Sequence, residues 1–87
     1  MTTNTTPAPT IRWATPVLTR SIETLQPAGE CLWRVLDRRG AIRGHLRIMP
    51  HDLGLRYRAE RLHLPSGVFR IVGDFWSADD AVAALRF

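Results

Sequence analysis

From residue 31 to residue 75, apolar and polar side chains alternate with a period of two, and clusters of glycine, proline and aspartate break the alternation three times. A period of two puts successive side chains on opposite faces of an extended chain, so this stretch is predicted to form antiparallel strands joined by tight turns. Leu32-Trp33-Arg34-Val35-Leu36 reads as a strand, and Asp37-Arg38-Arg39-Gly40 as a turn with Gly40 available for positive φ. In the next strand Ile42, Gly44, Leu46 and Ile48 share one face, and Arg43, His45, Arg47 and Met49 the other. After a second turn at residues 50–54, Leu55, Tyr57 and Ala59 oppose Arg56, Arg58 and Glu60. Pro65-Ser66-Gly67 makes a third turn, after which Phe69, Ile71, Gly73 and Phe75 face one way and Arg70, Val72 and Asp74 the other.

The pattern then changes. Ser77 is a good helix N-cap, Asp79 and Asp80 lie in the first turn where they complement the helix dipole, and the Ser77/Asp80 spacing is a shortened capping box. Ala81, Val82 and Leu85 form a narrow apolar face, and Arg86 falls in the last turn. Such a short helix is held by packing, not by its own propensity. Phe75, Val82 and Leu85 are predicted to plug an apolar sheet face made by Ile42, Leu46, Tyr57 and Ile71. Residues 11–29 support two readings. Thr15-Pro16 makes a helix start, with Leu18, Ile22 and Leu25 on one face and Pro27 and Gly29 at its end. The Thr, Val and Ile content suits a strand equally. The helix is favoured, with Trp13 as a lid on the core. The predicted fold is therefore α+β: a three- or four-stranded antiparallel sheet packed on one C-terminal helix, with a short N-terminal helix before it.

Polar, proline-containing residues 1–10 are predicted to be a mobile tail, leaving residues 11–87 as a single small domain. A chain this short buries roughly 60–65% of the surface it exposes when unfolded, so its core is thin. No run approaches the ~18 apolar residues of a membrane-spanning helix, and the N-terminus lacks the basic and apolar regions of a signal peptide. With a single cysteine, Cys31, these features place the chain in the cytoplasm as an expectation.

Catalytic and metal chemistry find little support. Cys31 has no base placed beside it by spacing, although His45 is a candidate. His45, His51 and His63 with Cys31 match none of the paired metal-ligand spacings. Gly40 and Gly44 lack the lysine and the strand–loop–helix setting of a phosphate loop. No enzyme activity, metal or cofactor is expected.

What stands out is arginine. The chain carries a formal charge of +4, and all 12 of its basic residues are arginine. GC-rich coding alone substitutes arginine for lysine. Arginine is also the side chain best suited to phosphates and base edges. Arg34, Arg43, Arg47, Arg56, Arg58 and Arg70 are predicted on the sheet face opposite the apolar residues, with His45 among them and Glu60 as the carboxylate clearly in the set. Arg38 and Arg39 add charge at a hairpin tip. Six like charges on one face call for carboxylates or a polyanion opposite them. The expected function is a small non-enzymatic nucleic-acid-binding module, with DNA favoured, using these eight arginines. The alternative is a protein-interaction domain whose arginine face meets an acidic partner. A third possibility is a solvated outer face with no partner.

The run Tyr57-Arg58-Ala59-Glu60, followed by Gly73-Asp74-Phe75-Trp76-Ser77-Ala78-Asp79-Asp80-Ala81-Val82, resembles the end of an AP2-type domain. There an Ala-Glu strand precedes a Gly-x-Phe turn and a Ser/Thr-x-Glu-Glu-Ala helix start. The arm-binding N-terminal domains of tyrosine integrases are similar, with three strands and a helix. The likeness covers residues 32–85 and lacks the Tyr-Arg-Gly opening of AP2 domains. It implies a sheet that reads the major groove through arginine and tryptophan, with base-reading roles for Arg34, Arg43 and Arg56.

Overall fold

The computed structural model describes residues 13–86. They form an α+β fold with five strands in one antiparallel meander and one short helix after them. The strands are β1 (Thr24–Gly29), β2 (Leu32–Leu36), β3 (Ile42–His51), β4 (Gly54–His63) and β5 (Val68–Phe75), in spatial order β1-β2-β3-β4-β5. The helix α1 (Ala78–Ala83) packs on β3, β4 and β5. The predicted tail at residues 1–10 lies outside the described residues.

Local chemistry explains the turns. Gly40 has φ +81°, its N–H donates to the Asp37 carbonyl, and the Asp37 carboxylate accepts from the N–H groups of Arg39 and Ala41. This self-capped turn carries β2 into β3. The second turn is tighter than predicted: His51 pairs with Gly54, so only Asp52 and Leu53 separate β3 from β4. Ser77 caps α1 as predicted, accepting from the Asp80 N–H at 3.0 Å.

The N-terminal helix expectation is corrected. Residues 13–23 are coil, and residues 24–29 form the extra strand that raises the count to five. Pro27 does not forbid that strand because β1 is an edge, where a missing N–H costs no ladder bond. The coil is held by tertiary partners. Asp79 takes hydrogen bonds from the Thr19 N–H, the Thr19 hydroxyl, the Arg20 N–H and the Ser21 hydroxyl, at 2.7–3.0 Å. These donors hold its carboxyl well below the usual carboxylate range, the Thr19 backbone contributing most. The Trp33 indole N–H donates to Thr15. Leu18 and Leu25 pack on the core, whereas Trp13 is only half-buried.

The core lies between α1 and rows of side chains that cross the sheet. Trp33, Leu46, Ala59 and Gly73 align across β2 to β5, and Ile48, Tyr57 and Phe75 form the next row. Val35, Leu46, Ala59, Ala78, Ala81, Val82 and Leu85 make the buried cluster. Gly44 is required by close approach: a Cβ there would stand 2.2 Å from the Glu60 carbonyl and 3.0 Å from Leu85 Cδ2. Phe75 lies across Gly73 on edge strand β5, with its ring 3.2 Å from where a Cβ would be.

Two bulges overturn part of the predicted facing. One lies between β2 and β3: Val35 pairs with Gly44 but Leu36 pairs with Ile42, leaving Arg43 as the extra residue. The other lies between β4 and β5: Ala59 pairs with Gly73 but Glu60 pairs with Ile71, leaving Val72 over. Each inserted residue reverses the parity of everything beyond it. Ile42 and Ile71 therefore leave the core face and are 51% and 59% exposed. Phe69 moves to the polar face and Arg70 leaves it. Arg86 is also reassigned: α1 ends at Ala83, and Arg86 lies past the cap, gripping the buried Glu23 through two hydrogen bonds of 2.8 Å.

Candidate nucleic-acid interface

The helix and the N-terminal coil both sit on the core side, so among the described residues no element covers the opposite face of the sheet. Its chemistry is set by three cross-strand rows. Arg34, His45, Glu60 and Ile71 align across β2 to β5. Beside them run Arg47, Arg58 and Asp74 across β3 to β5. Met49 and Arg56 begin the third row, and Trp76 lies beside Arg56 just past the end of β5.

Arg47 and Arg58 stand directly opposite each other, a repulsive placement when alone. Each is neutralised sideways. Arg47 donates from Nε and Nη2 to the two oxygens of Glu60, at 3.2 and 3.4 Å. Arg58 makes the same fork to Asp74, at 2.8 and 3.1 Å. The Arg58 hydrogen bonds hold the Asp74 carboxyl below its ordinary value. Asp74 therefore joins Glu60 as a second carboxylate on this face, because its strand partner is Arg58. The guanidinium groups are oriented in planes that carboxylates define, the geometry at which arginine excels.

Aromatic rings complete the surface. Arg56 lies over the Trp76 ring at 4.3 Å and donates through Nη2 to the Asp74 carbonyl. The His51 ring meets Trp76 edge-on at 5.2 Å. Trp76 nonetheless remains 51% exposed. Toward the other end, Phe69 reaches over β4 to stack on His45, with centroids 3.9 Å apart and planes 9° from parallel. Burial lowers the His45 pKa; Glu60 opposes the shift, and Arg34 and Arg47 add to it.

No family model, curated protein or solved structure matches the chain. The functional reading therefore rests on this surface.

The eight arginines named from the sequence divide accordingly. Arg34, Arg47, Arg56 and Arg58 are gathered on the uncovered face, and Arg38 and Arg39 are exposed at the β2–β3 turn. Arg43 is taken out of the alternation by its bulge and lines a cavity of about 240 Å³ with Ile42, Arg61, Leu62 and Leu64. Arg70 pairs with Arg61 across β4 and β5, on the side opposite Arg58. Alternation missed Phe69, because the Val72 bulge is silent in sequence. It also left Trp76 aside, although parity with Asp74 would have placed it here.

The histidines and the cysteine stay apart. The His51 ring accepts from the Leu53 N–H, and the His63 ring meets the Ser66 hydroxyl at 2.7 Å, so both serve turns. Cys31 lies half-buried between β1 and β2. Among the described residues no group of three or more His, Cys, Asp or Glu is arranged to hold a metal ion, and no helix is long and apolar enough to cross a membrane.

Proposed function

We propose that this chain is a small non-enzymatic nucleic-acid-binding module whose uncovered sheet face is the contact surface. The observation that carries the reading is the gathering of Arg34, Arg47, Arg56 and Arg58 on that face, four cations against the two carboxylates Glu60 and Asp74. Arg38 and Arg39 extend the positive surface at the adjoining hairpin tip. The excess of cations attracts a polyanion over a distance set by salt. The hydrogen-bonded arginines are already oriented, so less side-chain entropy is lost on binding. Arg43, the extra residue of its bulge, and Arg70, which pairs with Arg61 on the side opposite Arg58, are not assigned to the contact surface.

A mobility-shift titration of the purified chain against nucleic acid across a salt series tests this. If about four phosphates are neutralised, log K falls against log salt with a slope of roughly −3 to −4. Replacing Arg34 and Arg39 with Gln weakens binding and flattens the slope by about one for each phosphate no longer neutralised. Retention on acidic resins without binding to any DNA or RNA at micromolar concentration and about 50 mM salt refutes the proposal and leaves an acidic protein as partner.

A further inference from the structure

We propose that the arginine face takes a single-stranded polynucleotide, RNA or DNA, with bases stacked on Trp76 and against the His45–Phe69 pair, in preference to a duplex. This deepens the nucleic-acid reading above and rests on it.

Three features of the face point the same way. The first is width. A two-stranded ribbon fits a B-form major groove about 12 Å wide, but five strands spaced about 4.8 Å apart span about 19 Å before any side chain is added. The β1 strand that turns a three- or four-stranded expectation into five makes the face too broad to enter that groove. A flexible single strand lies across a broad face without that restriction.

The second is the placement of aromatic rings. Trp76 is half exposed with Arg56 backing its ring, and Phe69 is held parallel to His45. Within a duplex, bases present only their edges to a groove; in a single strand their faces are free to stack. The two sites lie at opposite ends of β5, about 20 Å apart at about 3.3 Å per residue. Arg47 and Arg58 lie between them. That order, ring–cations–ring, matches a strand whose terminal bases stack while its phosphates cross the arginines.

The third is the pair of carboxylates. Glu60 and Asp74 sit among the arginines and would meet the phosphates of any closely apposed duplex wall. Unpaired bases expose N–H donors on their pairing edges, the ring N3–H of thymine and uracil among them, for which a carboxylate is an acceptor.

The experiment is fluorescence anisotropy with labelled oligonucleotides of about 12 nucleotides, inside the ~4–16 nucleotide range of comparable single-strand binders. The probes are oligo-dT, oligo-rU and a duplex of equal length, in about 50 mM salt. The expected result is single-strand binding at least about tenfold tighter than duplex binding. Trp76→Ala should weaken the single-strand complex by about tenfold, as removal of one stacked base does, and weaken duplex binding clearly less. Trp76→Phe should restore most of the affinity. Quenching of intrinsic tryptophan emission on binding should be present in the native chain and much reduced in Trp76→Phe, since Trp33 is buried and half-buried Trp13 belongs to the N-terminal coil on the core side of the sheet. The oligo-dT and oligo-rU arms show which sugar the site prefers, and either preference over duplex supports the proposal. Equal or tighter duplex binding, or unchanged single-strand affinity in a folded Trp76→Ala variant, overturns the single-strand inference while the nucleic-acid reading survives. Failure of all three probes to bind overturns both.

Discussion

At the scale of single residues, a few positions carry more than their side chains suggest. Gly44 is a strand residue whose missing Cβ admits both the neighbouring strand and Leu85. Because the obstruction includes backbone, Gly44→Ala is expected to cost about 1–3 kcal/mol, or more if Leu85 is displaced; the urea midpoint measures this. Asp79 occupies an ordinary first-turn position, yet it satisfies four donors from a segment some 60 residues away. Composition can nominate an acidic first turn. It cannot say which of Asp79 and Asp80 turns inward, because that depends on where the N-terminal coil lies. Glu23 and Arg86 pose the same problem, since neither belongs to an alternating or helical pattern. With the Glu23 side chain only 5% exposed, removing its partner strands a buried carboxylate. Arg86→Ala is therefore expected to lower the urea midpoint more than the double variant Glu23→Gln/Arg86→Ala. The reverse order would show that the pair does not govern that packing.

Elements obey local rules more closely. The β2–β3 turn, the alternation on either side of it and the Ser77 cap all follow from residues close together in the chain, and all three were legible. The prediction failed where an element is decided by what lies beside it. β1 contains a proline and little alternation, and forms because β2 offers it an edge. Bulges at Arg43 and Val72 reverse facing without a compositional mark, since apolar residues occur on both parities of β5. The helix is the other case: six residues do not hold themselves, so α1 depends on Leu85 and Phe75. Leu85→Ala is expected to cost about 2–5 kcal/mol, and half-buried Phe75→Ala the lower end of the ~3–5 kcal/mol typical of a core phenylalanine. Chemical denaturation followed by circular dichroism distinguishes these from a surface change.

For the whole molecule, the two ends of the described chain are latched to each other. Thr19, Arg20 and Ser21 bond Asp79 while Glu23 bonds Arg86. Truncation to a chain starting at Ile22 is therefore expected to lower Tm, with protease sensitivity appearing first in α1. The pH dependence has one sign throughout. His45, Glu23, Asp74 and Asp79 all have pKa values below their ordinary 6.5, 4.5, 3.8 and 3.8. Each group thus contributes stability that is complete above its ordinary value and is lost as pH falls below it. Tm should decline steadily from neutral pH toward pH ~3, and Asp79→Asn should flatten the acid end of the curve. A Tm that rises on acidification would contradict these assignments.

The sequence alone carried the class of fold, the central strands, their turns, the helix cap and an arginine-rich face, because each depends on interactions a few residues apart or on a period of two. Tertiary structure decided the fifth strand, the two parity reversals, the latch between the ends, and which arginines share the face with Trp76 and Phe69. Those outcomes depend on pairing register and on packing between distant segments. A one-residue slip in register moves a side chain through the sheet, and no local composition records it.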